Sequence, residues 1–205
     1  KTARVIVNSL RELGYSVFWK VFNTSVHTEI PQNRERTFII CFKDEADWEF
    51  SNKNTCSRKF NDQLPLPKSK KKKKLKEMFE KGEVDERYYY KQDAYMYKEL
   101  KKSIVSKNTV YQWRRVYVRE NKSGECPTLT ANMGTGGHNV PLIKDNLGIR
   151  KLTPRECLNF QSFPKNFNFP YDMPISQRYK QAGNAVTVNL IKKIAPWGFS
   201  CDWVF

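Results

Sequence analysis

Three short stretches of this 205-residue chain combine side chains able to do chemistry. The first is Gln32-Asn33-Arg34-Glu35-Arg36, set directly before the apolar run Thr37 to Phe42. A guanidinium is a planar fork of donors suited to carboxylates, phosphates and base carbonyls. Alternate residues of an extended chain project to one side, so Arg34 and Arg36 can act together with Glu35 facing the other way. A solvated turn before a core strand is the plain alternative, and these residues alone leave both open. The second stretch is Gly183-Asn184-Ala185-Val186, a Gly-Asn turn opening an apolar helix. Backbone N–H groups are free there and the asparagine amide is well placed, which suits a ligand contact or a simple cap. The third is the glycine-rich loop Gly134 to His138. It lacks the GxGxxG pattern, which excludes a dinucleotide fingerprint. A flexible loop between basic strands suits insertion into a DNA groove, and equally a plain hairpin turn. Cys157 stands near Arg155, a neighbour that lowers a thiol pKa, but no base accompanies it in sequence, and it reads as a packed cysteine.

The totals narrow the partners. Lysine and arginine number 37 against 21 acidic residues, a net charge of +16. That surplus points to a polyanion, most simply nucleic acid. Part of it sits in one block, "KSKKKKKLK" from Lys68 to Lys76, which also fits a solubility segment. With 13 Phe, 10 Tyr and 5 Trp the chain is too aromatic to be disordered. Five cysteines without CxxC spacing and two histidines exclude a zinc ribbon and a disulfide scaffold, so no metal is expected. The odd cysteine count and basic composition fit a cytoplasmic protein. No run approaches the length of a membrane span, and no signal peptide opens the chain, so no membrane partner is expected. Lys1 falls inside a predicted helix, and the chain is expected to begin partway through a larger protein.

The elements that must position these residues follow from periodicity. Thr2 to Leu13 places Val5, Ile6, Leu10 and Leu13 on one helical face, and Gly14 stops the helix. Tyr15 to Phe22 and Thr37 to Phe42 read as strands, the second fully buried. Helix, strand, loop, strand is the grammar of the closing edge of an α/β sheet. Periodicity fades from Lys43 to Val110, apart from a weakly amphipathic, tyrosine-rich helical stretch near residues 80–102. Tyr111 to Arg119 alternates as one strand, and a short strand precedes the glycine-rich loop. Thr153-Pro154-Arg155-Glu156 is a compact helix start with a capping box. A helical run from Ser176 breaks at Gly183-Asn184, and a final helix, Ala185 to Ala195, carries Val186, Leu190, Ile191 and Ile194 on one face.

In this order, Gln32-x-Arg34-x-Arg36 before "TFIICF", a long basic stretch, "RKLTPRECLNFQSFP" and "QRYKQAGNAV" resemble the C-terminal half of a bacterial DNA (cytosine-5) methyltransferase of the restriction-modification type. The resemblance covers Thr2 to about Ala195, and is compositional only from Lys43 to Val110. It implies an α/β fold: the closing edge of a Rossmann-like, S-adenosylmethionine-dependent methyltransferase sheet plus a smaller mixed target-recognition domain. The expected division is 1–43 for the end of the catalytic domain and 44–148 for the recognition domain with its lysine-rich loop. Residues 149–195 then form the scaffold helix and the cofactor-side helix, and 196–205 a tail of uncertain role. In this family a cytosine is flipped out of the duplex, a cysteine attacks C6, a glutamate holds N3 and S-adenosyl-L-methionine methylates C5. Carried over residue by residue, the catalytic role falls on Arg34 and Arg36, with Gln32 in support. Cofactor binding falls on Gly183, Asn184, Ala185 and Val186. Thr128-Leu129 matches a Thr-Leu pair of the recognition region. Gln112, Arg114, Arg115, Arg119, Asn132, Thr135 and His138 join it as candidates for contact with double-stranded DNA.

The sequence also departs from the family. It holds no Pro-Cys-Gln loop, no Glu-Asn-Val motif and no phenylalanine- and glycine-rich cofactor turn. The resemblance therefore implies that the nucleophile lies outside this chain and that the chain is inactive alone. It would be completed by the N-terminal half of the enzyme, from the same gene or a separate subunit. The alternatives are a non-catalytic nucleic-acid-binding module or partner subunit, and a branch acting on tRNA.

Overall fold

The computed structural model describes residues 2–42, 66, 68–114, 116–134 and 140–198. Arg115, Thr135, His138 and the tail beyond residue 198 lie outside the described residues. Along the chain run α1 (Thr2–Glu12), β1 (Ser16–Asn23), α2 (Thr24–His27) and β2 (Glu35–Phe42). Two 3-10 turns, Leu75–Met78 and Glu86–Tyr88, lead to α3 (Tyr97–Ser103). Four short strands follow: β3 (Tyr111–Arg114), β4 (Tyr117–Glu120), β5 (Leu142–Lys144) and β6 (Ile149–Lys151). The chain then turns helical in α4 (Pro154–Phe160), α5 (Ile175–Asn184) and α6 (Val188–Gly198).

β1 and β2 form an antiparallel pair in unbroken register, from Ser16 opposite Phe42 to Asn23 opposite Glu35. Aromatic and β-branched residues suit that pleated surface. Phe18 and Phe22, on one face of β1, pack with Leu66 and with Leu190 and Ile194 of α6. Phe38 and Ile40 of β2 close this small core from the edge. The strand read as fully buried is thus half-buried from Phe38 to Cys41, because α6 covers one face of the pair. The apolar face of α1 is largely uncovered. Val5 and Leu13 are 61% and 73% exposed, and the buried residue is Val7. Leu10 is half-buried, so most but not all of the apolar stripe stands open, and on β1 Trp19 and Val21 are half-exposed as well.

The second sheet has the order β4-β3-β5-β6, antiparallel throughout. The single strand expected over Tyr111 to Arg119 is in fact a hairpin. β3 ends at Arg114 and β4 starts at Tyr117, and the Val116 N–H donates to the Arg114 carbonyl at 2.6 Å. Tyr111 and Trp113 turn inward onto Leu100, Ile104, Leu142 and Ile149. The Asp145 side chain accepts the N–H groups of Leu147 and Gly148, tightening the turn between β5 and β6. This sheet runs through Lys151, across the expected boundary at residue 148. The short strand expected before the glycine-rich loop is a single parallel bridge, Gln32 to Cys126. The tyrosine-rich stretch gives only a 3-10 turn and the seven-residue α3.

The capping box on α4 forms as read. The Thr153 hydroxyl accepts the Glu156 N–H, the Glu156 carboxylate accepts the Thr153 N–H, and Pro154 opens the helix. Leu158 and Phe160 then enter the main core with Ile30, Leu129, Met133 and Tyr179. The break expected at Gly183-Asn184 falls just after it. α5 runs through Asn184, Ala185 is extended, and α6 starts at Val188 rather than Ala185. Val186 therefore lies outside α6 and is half-exposed, while Leu190 and Ile194 are buried.

Candidate active site and nucleic-acid interface

The polar cluster before β2 is the seam of the molecule. Gln32 is fully buried and its amide donates to the Phe160 carbonyl of α4 at 3.0 Å. On either side of it the backbone pairs with the segment around Cys126: Asn33 N–H to Cys126 O, and Cys126 N–H to Pro31 O. Arg34, 2% exposed, is gripped by three carbonyls. One guanidinium nitrogen donates to Leu129 O at 2.7 Å, the other to Gly183 O at 3.0 Å and Ala185 O at 2.6 Å. One side chain thus ties the strand pair, the segment after β4 and the end of α5 together. Three carbonyl dipoles do not supply a counter-charge. Burial, with the neighbouring positive charge of Arg36, pulls the guanidinium down to about 10. It remains a cation at neutral pH.

Two buried atoms of the cluster have no protein partner, the Gln32 side-chain oxygen and the Arg34 Nε. An orphaned buried polar atom is costly, and such sites cluster where a function holds them. Arg36 differs from Arg34. It is half-exposed, and its guanidinium donates to the Glu35 carbonyl at 2.6 Å. The two arginines expected to act together therefore have different surroundings. They share a side of the extended chain, but Arg34 is buried and bonded to carbonyls of remote segments, whereas Arg36 is partly exposed and bonded to the carbonyl of its neighbour.

The Gly183 to Val186 stretch divides likewise. A Cβ at Gly183 would sit 2.1 Å from the Thr130 carbonyl oxygen, so only glycine lets α5 approach that backbone. The Gly183 and Ala185 carbonyls are taken by Arg34. Asn184 is exposed and Val186 is 47% exposed. An exposed amide beside an apolar side chain fits one edge of an amphiphilic cofactor such as S-adenosyl-L-methionine. Gly134, at φ +89°, presses on Ser176 and Tyr179 of α5, so the glycine-rich loop starts from a packed point.

A separate buried arginine holds the scaffold. Arg150 of β6 donates to both oxygens of Glu156 on α4, at 2.7 and 2.8 Å, and to Asp145 at 2.7 Å. Burial alone would lower this guanidinium, but Glu156 and Asp145 outweigh it and hold the proton above the ordinary range. Glu156 also accepts the Glu80 N–H. The second sheet is therefore locked to α4 by charge.

The residues expected at DNA separate by face. Gln112 pairs across the hairpin with Arg119, and Arg114 with Tyr117, so all four lie on the face opposite the buried Tyr111 and Trp113. Arg114 and Arg119 are exposed, and Arg114 donates to Gln112 at 3.0 Å. Asn132 is exposed in the turn after Leu129. Thr128 and Leu129 are placed otherwise. The Thr128 hydroxyl donates to Asn33 O at 2.7 Å, and Leu129 is a core residue whose carbonyl serves Arg34. Sequence reasoning missed Tyr117, 55% exposed beside Arg114, and Val116, 82% exposed at the tip. An apolar tip between basic residues was the available signal. Burial pushes the Cys126 and Cys157 thiols well up, and that of the partly exposed Cys41 up to a lesser degree.

Comparison with known proteins now bears on this geometry. The family model of the C-5 cytosine-specific DNA methylase matches residues 1–196. The type II methyltransferase M.Bsp6I of Bacillus sp. (strain RFL6) is 46% identical over 195 residues, covering 95% of this chain and 58% of that protein. M.HaeII of Haemophilus aegyptius is 33% identical, over 95% of this chain and 54% of that one. The chain spans about half the length of the curated relatives it matches. Among solved structures, the S. pombe Dnmt2 methyltransferase superposes with a TM-score of 0.67 at 14% identity, over 97% of this chain and 62% of that one. The Spodoptera frugiperda DNMT2 E260A/E261A/K263A mutant gives 0.67 at 18%, over 98% and 62%. At those identities the likeness is one of fold.

Proposed function

This chain belongs to the C-5 cytosine-specific DNA methylase family, and from that premise we propose that it supplies the DNA-reading face and one wall of the pocket of an enzyme that methylates cytosine C5 in a specific duplex sequence. The carrying observation is the seam at Gln32 and Arg34. It fixes the recognition segment and the α5 terminus against each other and leaves the Arg36 guanidinium half-exposed on the same side.

Each residue then has a task. Arg36 is the catalytic residue of the chain: its free donors bind the flipped cytosine as charge develops on the ring. Arg34 and Gln32 are positioning residues, which keep Arg36 in place. Asn184 and Val186 hold one edge of S-adenosyl-L-methionine, which supplies the methyl group. Gln112, Arg114, Arg119 and Asn132, joined by Tyr117, meet the duplex. Arginine and glutamine reach base edges in the major groove, while lysines set affinity through phosphates. Arg115, Thr135 and His138 remain part of this reading by sequence position.

The attacking thiol comes from polypeptide outside this chain, the N-terminal half of the enzyme, encoded in the same gene or as a separate subunit. The raised thiols of Cys41, Cys126 and Cys157 support that assignment. The open stripe of α1 with Trp19 and Val21 supports a docking surface for that half, at the closing edge of a Rossmann-like sheet. No described helix is long and apolar enough to cross a membrane, and we place the enzyme in the cytoplasm with its DNA. The test is transfer of a labelled methyl group from S-adenosyl-L-methionine to duplex DNA by the complete protein. Transfer lost in Arg36→Ala supports the reading. DNA binding without transfer by the unaltered protein overturns it in favour of a binding module.

A further inference from the structure

The lysine block is not a loose tail. Leu66 before it is buried in the small core with Phe18, Phe22, Leu190 and Ile194. Leu75 and Met78 after it are buried in the main core. Between those anchors the backbone is tied twice, by Ser69 N–H to Val26 O and Lys73 N–H to Glu29 O, both at 2.8 Å. Seven lysines, Lys68, Lys70 to Lys74 and Lys76, are held in this strap, and all are exposed. Two of them meet carboxylates, Lys72 with Glu125 at 3.2 Å and Lys73 with Glu29 at 3.8 Å. The other five have no ion pair among the described residues.

Self-repulsion opposes ordering such a run, and a solubility segment needs no anchors. Lys68 and Lys70 to Lys73 line one open cleft with Lys193, Glu29 and Glu77, while Lys74 and Lys76 continue the strap beyond it, so the positive surface is broader than a single small anion needs. None is an arginine, so the strip offers point charges without planar forks. That chemistry binds a phosphate backbone irrespective of sequence. Lys72 reaches Glu125, beside Cys126 at the seam and just beyond the foot of the β3–β4 hairpin.

Resting on the DNA reading above, we infer that the Lys68–Lys76 strap is a second, sequence-independent contact, gripping duplex phosphates that flank the recognised site. It sets how tightly the enzyme holds DNA, and the hairpin sets which DNA it holds.

The test compares the complete methylating protein with its K68Q/K70Q/K71Q/K74Q/K76Q variant on duplexes of increasing flank length. The slope of log affinity against log salt falls by about 0.9 for each phosphate that is no longer neutralised, so a drop of about 3 or more is expected. The gain in affinity from longer flanks disappears, and kcat at saturating DNA stays unchanged. A control variant removes five exposed lysines elsewhere, K91Q/K98Q/K101Q/K102Q/K107Q. If the control lowers the slope equally, the effect is net charge and the inference fails. An unchanged slope in the strap variant of a protein that still methylates overturns the strap alone. So does an unchanged slope together with weakened binding to single-stranded RNA or to anionic phosphatidylserine vesicles. No methylation and no duplex binding by the unaltered protein sinks the DNA reading itself.

Discussion

Two buried arginines in this molecule live in opposite electrostatic conditions. Arg150 faces Glu156 and Asp145, and its proton is held above the ordinary range. Arg34 faces three carbonyls and a second cation, has an unpartnered Nε, and is pulled down to about 10. A neutralised buried charge joins structural parts. An unneutralised one is expensive and is retained where a pocket needs a fixed positive group. The contrast gives the second sheet's attachment to Arg150 and sets Arg34 apart from it; the proposed function puts Arg34, with Arg36, in the reactive wall.

The sharpest way to break this contrast is Glu156→Ala. It removes the fully buried partner of Arg150, leaves only the partly exposed Asp145, and is expected to cost about 3 kcal/mol in a urea unfolding experiment. A loss under about 1 kcal/mol would mean that Arg150 is no better neutralised than Arg34. Next comes Arg36→Ala, expected to cut methyl transfer by roughly a hundredfold to a thousandfold while the unfolding midpoint barely moves. An equal loss of stability would merge the reactive wall with the scaffold. Arg34→Lys keeps the charge but cannot fork to three carbonyls, and about 2 kcal/mol of stability should go with a fall in kcat. Retention of both would show that charge alone suffices there.

The smallest effect belongs to Asp145. Burial raises its carboxyl, but bonds from Arg150, Tyr89 and the Gly148 and Leu147 N–H groups outweigh that and hold it below the usual range. A depressed folded-state pKa contributes stability that is complete above about pH 4 and is lost as pH falls through the folded value. Asp145→Asn should remove that acid-limb slope, worth about 0.5 kcal/mol for a partly exposed group. An unchanged slope would assign it to another carboxylate.

Local signals were legible where chemistry and backbone agree within a few residues. The Thr153 capping box, the stop at Gly14 and the two strands around Gln32 to Arg36 all rest on such short-range rules. The hairpin at Arg114 to Tyr117 was missed because its alternation lapses for only two residues. The apolar face of α1 was legible, but periodicity does not report what covers such a face, and most of this one is exposed. The split between Arg34 and Arg36 could not be read at all. It depends on the carbonyls of Leu129, Gly183 and Ala185, which no local pattern brings near.

Those three carbonyls stand 95, 149 and 151 positions along the chain from Arg34. Closing loops of that length costs entropy that is repaid only when the remote segments have arrived. The β1–β2 pair can form from neighbours, whereas the grip on Arg34 must form late. Arg34 therefore acts as a latch on a finished assembly, and loosening it should hasten unfolding while leaving the rate of folding nearly untouched.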